Sequence, residues 1–87
     1  MPKRTKDEQI YMNLHPVCEA CGIVQSAEYH HIITRATGGE SIFENALALC
    51  TVCHRTWHDI GRKSFCLRYP KLEPKVIEAC KIYGRKF

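Results

Sequence analysis

Two Cys-x-x-Cys pairs, Cys18/Cys21 and Cys50/Cys53, constrain this chain more than any other feature. Its 87 residues make one domain, 1–87, and a domain of that size buries too little apolar surface to be comfortably stable without a metal or disulfide staple. Each pair spans a single turn, so four sulfurs brought together can close a tetrahedron around one zinc ion. Disulfides are the alternative use of six cysteines, and they persist in oxidising compartments. The start, Met1-Pro2-Lys3-Arg4-Thr5-Lys6, leads into Asp7-Glu8-Gln9 and not into an apolar signal region. No run of about 18 apolar residues, the length a membrane span needs, is present. A cytoplasmic protein with thiolate ligands to a structural Zn²⁺ is therefore expected, with no membrane partner. A redox role would need a βαβ context that the pattern lacks. Cys66 and Cys80 have no Cys-x-x-Cys partner and read as buried small hydrophobes.

The local signals place these cysteines on a small α+β framework. Asp7-Glu8 favours a short helix over 5–14, carrying Ile10, Met12 and Leu14, which His15-Pro16 ends. Residues 17–24 read as a zinc knuckle, with Gly22 permitting its tight turn. Glu28-Tyr29-His30-His31-Ile32-Ile33 has strand-forming residues and begins a hairpin, and Thr37-Gly38-Gly39-Glu40 is its loop. Ser41 to Leu49 returns, with Ile42, Phe43, Leu47 and Leu49 as apolar anchors. A helix opening at Cys50 should run to about Ile60 and stop at Gly61. On it His54 and His58, four apart, share one face, while Cys53, Trp57 and Ile60 share a neighbouring face that can pack inward. Residues 62–87 read as a packing segment. Phe65, Leu67 and Tyr69 precede Pro70, and a last helix begins near Pro74, with Val76, Ile77, Cys80 and Tyr83 as its stripe and Gly84 at its end.

The histidines point to a second site. His30 and His31 are adjacent, Asn45 follows fourteen residues after His31, and His54 and His58 follow nine and thirteen after Asn45. Three neutral imidazoles can hold a divalent cation with coordination positions left for water and phosphate. A further, unligated histidine can take a proton from the attacking water. The net charge of +4, with Lys3, Arg4, Lys6, Arg55, Arg62, Lys63, Arg85 and Lys86 near the ends and after the array, suits a polyanionic partner, although solvated surface charge is the commoner explanation for such residues. Glu28 alternates with His30 and is either its second acceptor or an exposed ion-pair partner. Arg35 and Arg55 are candidate phosphate grips, against plain exposure. Trp57 reads as core in preference to a base-stacking platform.

His30-His31, Asn45 and His54, with the stretch Leu49-Cys50-Thr51-Val52-Cys53-His54, resemble the signature of the zinc-stapled HNH endonucleases over residues 18–60. The resemblance implies a ββα-metal (His-Me finger) core with a four-cysteine zinc site and flanking helices. It implies a metal-dependent DNA endonuclease that leaves 5′-phosphate and 3′-hydroxyl ends. His31 matches the general base, His30 and His54 match metal ligands, and His58 matches the further ligand of the histidine-rich nuclease colicins. Asn45 matches the central asparagine, which braces the hairpin loop in some members and binds metal in others. The catalytic cation would be Mg²⁺, Mn²⁺, Ni²⁺ or Zn²⁺. Size and family further imply a phage or prophage context in a bacterial host cell, packaging or recombination partners, weak sequence specificity, and a monomer or homodimer. The rival readings are a non-catalytic zinc-ribbon-like nucleic-acid-binding or adaptor module, and a zinc ion in the histidine site with the cysteines oxidised.

Overall fold

The computed structural model describes residues 4–87; Lys3, one of the basic residues of the N-terminal end, lies outside the described residues. The element order is α1 (Lys6–Leu14), β1 (Glu28–His31), β2 (Ala46–Leu49), α2 (Thr51–Arg68) and α3 (Glu73–Ile82), with short 3₁₀ turns at Arg35–Thr37, Phe43–Asn45 and Pro70–Leu72. No helix among the described residues is long and apolar enough to cross a membrane.

β1 and β2 pair antiparallel, with Glu28 opposite Leu49, Tyr29 opposite Ala48, His30 opposite Leu47 and His31 opposite Ala46. Side chains alternate across a strand, and β2 uses both faces. Leu47 and Leu49 enter the main core with Phe65, Val76, Ala79 and Cys80 of the C-terminal helices. Ala46 and Ala48 face the other way, against Tyr11 and Met12 of α1. Their short side chains let α1 lie close on the hairpin. The Tyr11 hydroxyl donates to the Glu19 carboxylate at 2.6 Å, and the same carboxylate oxygen accepts from the Ala48 amide at 2.8 Å, tying α1, the first cysteine loop and β2 together.

α1 starts as a capping box: Thr5 accepts from the Glu8 amide at 3.2 Å, while the Glu8 side chain accepts from the Thr5 amide at 3.1 Å. Reciprocal bonds of this kind satisfy two of the amides a helix start leaves unpaired. His15 closes the helix, as its place before proline predicts. The buried face differs from the apolar residues that sequence alone offers. Ile10 and Leu14 point outward, and Glu8, Tyr11 and Met12 are buried.

Three further expectations need correction. Phe43 is exposed and Ile42 only half-buried, because this segment forms a 3₁₀ turn and not an extended return strand. Phe43 instead sets its ring edge-on to Tyr11. Gly61 does leave the helical region, at φ 82° and ψ 167°, but the chain re-enters a helix at once and continues to Arg68. Ile60 and Leu67 are exposed, and the inward side chains of this helix are Cys53, Trp57, Phe65 and Cys66. In α3 the buried stripe is Val76, Ala79 and Cys80, with Ile77 and Tyr83 at its margin. Cys66 and Cys80 are free and buried, as their isolation in the sequence suggests.

Candidate functional site

The sulfurs of Cys18, Cys21, Cys50 and Cys53 lie within 4.8 Å of one another. The first pair sits on a tight turn in which the Gly22 amide donates to the Cys18 carbonyl at 3.0 Å and Gly22 takes φ 66°, a value that favours glycine. A bridge between Val17 and Gln25 closes the base of the turn. The second pair comes from the start of α2, where Cys50 is the N-cap and its sulfur accepts from the Cys53 amide at 3.4 Å. Backbone amides of Ile23 and Val24 pull the Cys21 thiol below its ordinary range. Burial pushes Cys53 upward. Zinc–sulfur bonds of about 2.3 Å imply sulfur separations of roughly 4 Å in a tetrahedron. The cluster therefore suits a zinc ion, and four thiolates would leave it no open position.

A second cluster stands on the α2 side of β1. The ligand-capable nitrogens of His30, His54 and His58 also lie within 4.8 Å of one another. His54 and His58 are one helical turn apart and turn their Nε2 atoms toward each other at 3.2 Å. His30 comes from β1 and is only 2% exposed. Its Nε2 is buried without a hydrogen-bond partner, an expensive condition for a polar atom unless something fills the place opposite it. Burial, reinforced by the charges of His54, His58 and His31, pushes the His30 pKa down to about 3. The ring is thus neutral and able to ligate. Trp57 sets its ring 4.5 Å from that of His30, so the tryptophan is core and at the same time the wall behind this imidazole.

Glu28 belongs to this cluster through a different partner from the one expected. Its carboxylate lies 2.9 Å from Nδ1 of His54, not against His30. Alternation aims Glu28 and His30 at the same face, where α2 presents His54 between them. A carboxylate on Nδ1 holds the hydrogen there and leaves Nε2 free for a metal, the usual outer support of a ligating histidine. Glu28, Thr51, His54, Arg55 and His58 line an open cleft of about 300 Å³. His58 also lines a second depression, of about 330 Å³, with Trp57, Arg62 and Arg85.

The structure does not bring His31 into the imidazole cluster. It occupies the last position of β1 and faces α1, with Nε2 2.9 Å from the Ser41 hydroxyl and 3.6 Å from the Glu8 carboxylate. Burial lowers its pKa, opposed by Glu8 and assisted by Arg35. Asn45 is wholly buried. Its Oδ1 accepts from the Ile33 amide at 2.7 Å, and its Nδ2 donates to the carbonyls of Ile33 and Glu40, each at 3.0 Å. Those bonds hold both ends of the hairpin loop and engage the oxygen and both hydrogens of the side-chain amide. Arg35 and Arg55 are exposed, Arg55 in the cleft and Arg35 near His31.

Sequence reasoning missed two residues beside His31, namely Glu8 and Ser41. Thr5-x-x-Glu8 reads as a helix start, and that local role conceals the long-range one. It also missed the steric part played by Gly39, where a Cβ would stand 1.7 Å from the Ile33 carbonyl oxygen.

A β-hairpin and a helix that meet at a histidine cluster, stapled by four cysteines, define a small α+β protein of the ββα-metal class. Residues 18–59 match the family model described as HNH endonuclease, a family whose members are nucleases in general. No curated protein and no solved structure matches the chain.

Proposed function

We propose that this protein is a metal-dependent DNA endonuclease that hydrolyses phosphodiester bonds to 5′-phosphate and 3′-hydroxyl ends. The observation that carries the reading is the orphaned Nε2 of His30, buried among His54 and His58. An adaptor module with incidental histidines gives that atom no purpose, whereas a cation gives it a partner. A divalent cation held by His30, His54 and His58 would supply positive charge for the phosphate and the leaving oxygen; imidazole ligands suit several first-row ions. Glu28 fixes the His54 ring. His31, consecutive with His30 at the end of β1, takes the proton from the attacking water. Arg55, beside the cleft, holds a phosphate oxygen, and Arg35 serves the strand on the far side of the hairpin. Asn45 keeps the loop that separates the strands in shape.

With so small a surface, weak sequence specificity follows, and a phage or prophage role with packaging or recombination proteins, or a homodimer, would supply the rest. Plasmid nicking with Mg²⁺, Mn²⁺, Ni²⁺ or Zn²⁺ tests the reading. Wild type should cut with at least one of them, and His31→Ala should fall by about 10²- to 10⁴-fold. Equal cutting by His31→Ala, or none by freshly purified wild type in any metal, overturns it.

A further inference from the structure

Glu8, Ser41 and His31 form a hydrogen-bonded chain from α1 to the end of β1. The Ser41 hydroxyl lies 2.6 Å from Oε2 of Glu8, and Nε2 of His31 lies 2.9 Å from the Ser41 oxygen. The other oxygen of Glu8 accepts from the Thr5 amide at 3.1 Å. A glutamate in a capping box is ordinarily a surface residue, yet Glu8 is one of the three buried polar or charged side chains among the described residues, with His30 and Asn45.

Counting protons assigns the direction of each bond. An ionised carboxylate only accepts, and a serine hydroxyl has a single hydrogen. Burial would raise the Glu8 pKa, but hydrogen bonds from the Ser41 hydroxyl and the Thr5 amide hold it below its ordinary value. The carboxylate is therefore ionised and takes the Ser41 hydrogen. Ser41 can then only accept from His31, so the hydrogen of the neutral imidazole is on Nε2 and its lone pair is on Nδ1.

We propose that Glu8 and Ser41 are positioning residues for His31, fixing its ring and its Nε2–H tautomer so that Nδ1 is the nitrogen that accepts the proton. This rests on the reading of His31 as the base. Glu8 lies on α1, outside residues 18–59. An accessory helix that the family match does not include would then complete the site.

The test uses zinc-loaded full chain labelled with ¹⁵N at histidine, with His31 assigned by the resonances absent from His31→Ala. In the wild type, long-range ¹⁵N–¹H correlations should show Nε2 protonated and Nδ1 bare. Ser41→Ala should give a mixture of the two tautomers, and its kcat on plasmid should fall by roughly 10- to 100-fold, part of the general-base contribution, with KM within about twofold. Ser41→Thr, which keeps the hydroxyl, should restore both signals, and Glu8→Gln should behave like Ser41→Ala while far-UV circular dichroism stays unchanged. An Nδ1–H tautomer in a wild type that cleaves refutes the positioning role alone, as does Ser41→Ala with an unaltered kcat. Absence of cleavage by wild type in every metal, or full cleavage by His31→Ala, refutes the nuclease reading and the positioning role with it.

Discussion

Truncating Asn45 should cost more stability than truncating any other polar side chain of the hairpin. Asn45→Ala removes three hydrogen bonds, two of them to the main chain of Ile33, which is 3% exposed. The Ile33 amide and carbonyl would both be left buried, and each unpaired buried group costs about 1–3 kcal/mol. Glu40 is exposed, so its carbonyl regains water at little cost. The total is about 2–6 kcal/mol, against roughly 5–15 kcal/mol for a whole small domain. Urea unfolding of zinc-saturated protein, followed by the fluorescence of Trp57, reads this directly. With a slope of about 1 kcal/mol per molar urea for a small chain, the midpoint should drop by roughly 2 M or more. Asn45→Asp should do at least as badly, since it keeps the acceptor for Ile33 but sets a carboxylate against two carbonyl oxygens. Metal affinity of the histidine cluster, measured where the variant is still folded, should change little. A loss below about 1 kcal/mol would refute the reasoning from buried main-chain groups, and a large loss of metal affinity at intact stability would make Asn45 a ligand instead of a brace.

Glu28→Ala should weaken cation binding by the three histidines about 10- to 100-fold, measured by competition with a chelator of known affinity, and an unchanged constant would show that the Glu28–His54 contact supports nothing. Acidification should destabilise the protein through His30. Its folded value, about 3, lies below the ordinary 6.5, so the unfolded chain takes up a proton that the folded one refuses. The stability is complete above about pH 6.5 and is lost progressively toward about pH 3, with a slope of up to about 1.4 kcal/mol per pH unit. Urea midpoints from pH 6.5 to 5.5 should therefore fall faster for metal-stripped histidine sites in wild type than for His30→Phe; parallel curves would contradict the burial argument. Cys18→Ser should lose zinc and helical signal together, because it opens a closed four-sulfur site. Cys80→Ala, equally buried but outside the cluster, should keep its zinc, and both outcomes are read by metal content and circular dichroism.

Residues that carry chemistry by spacing were legible before any coordinates. Cys18, Cys21, Cys50 and Cys53 converge as their two turns require, and His54 and His58 share a face because they are four apart on a helix. What escaped depends on which third element covers each face. Ile10, Met12 and Leu14 look like core by hydropathy, but α1 meets the hairpin across Ala46 and Ala48, and that contact keeps Met12 and selects Tyr11 and Glu8 in place of the other two. Of the two roles open to Glu28 the exposed ion pair holds, with His54, and its partner was not legible, since alternation gives the face of a strand side chain but not which side chain of the opposing helix it meets. The second half of α2 was missed because Gly61 is a sound stop signal, and nothing local reveals that Phe65 and Cys66 find a core to pack on directly afterwards.

Cys53 and His54 are consecutive residues in the first turn of α2, one in the sulfur cluster and the other in the imidazole cluster. A displacement of that turn moves both. Zinc held by the four sulfurs would therefore also favour the placement of His54 opposite His30, and a cation held by the imidazoles would favour that of Cys53 in return. Zinc supply would then tune the affinity for the second cation, and a chain made under zinc starvation would hold that cation more weakly.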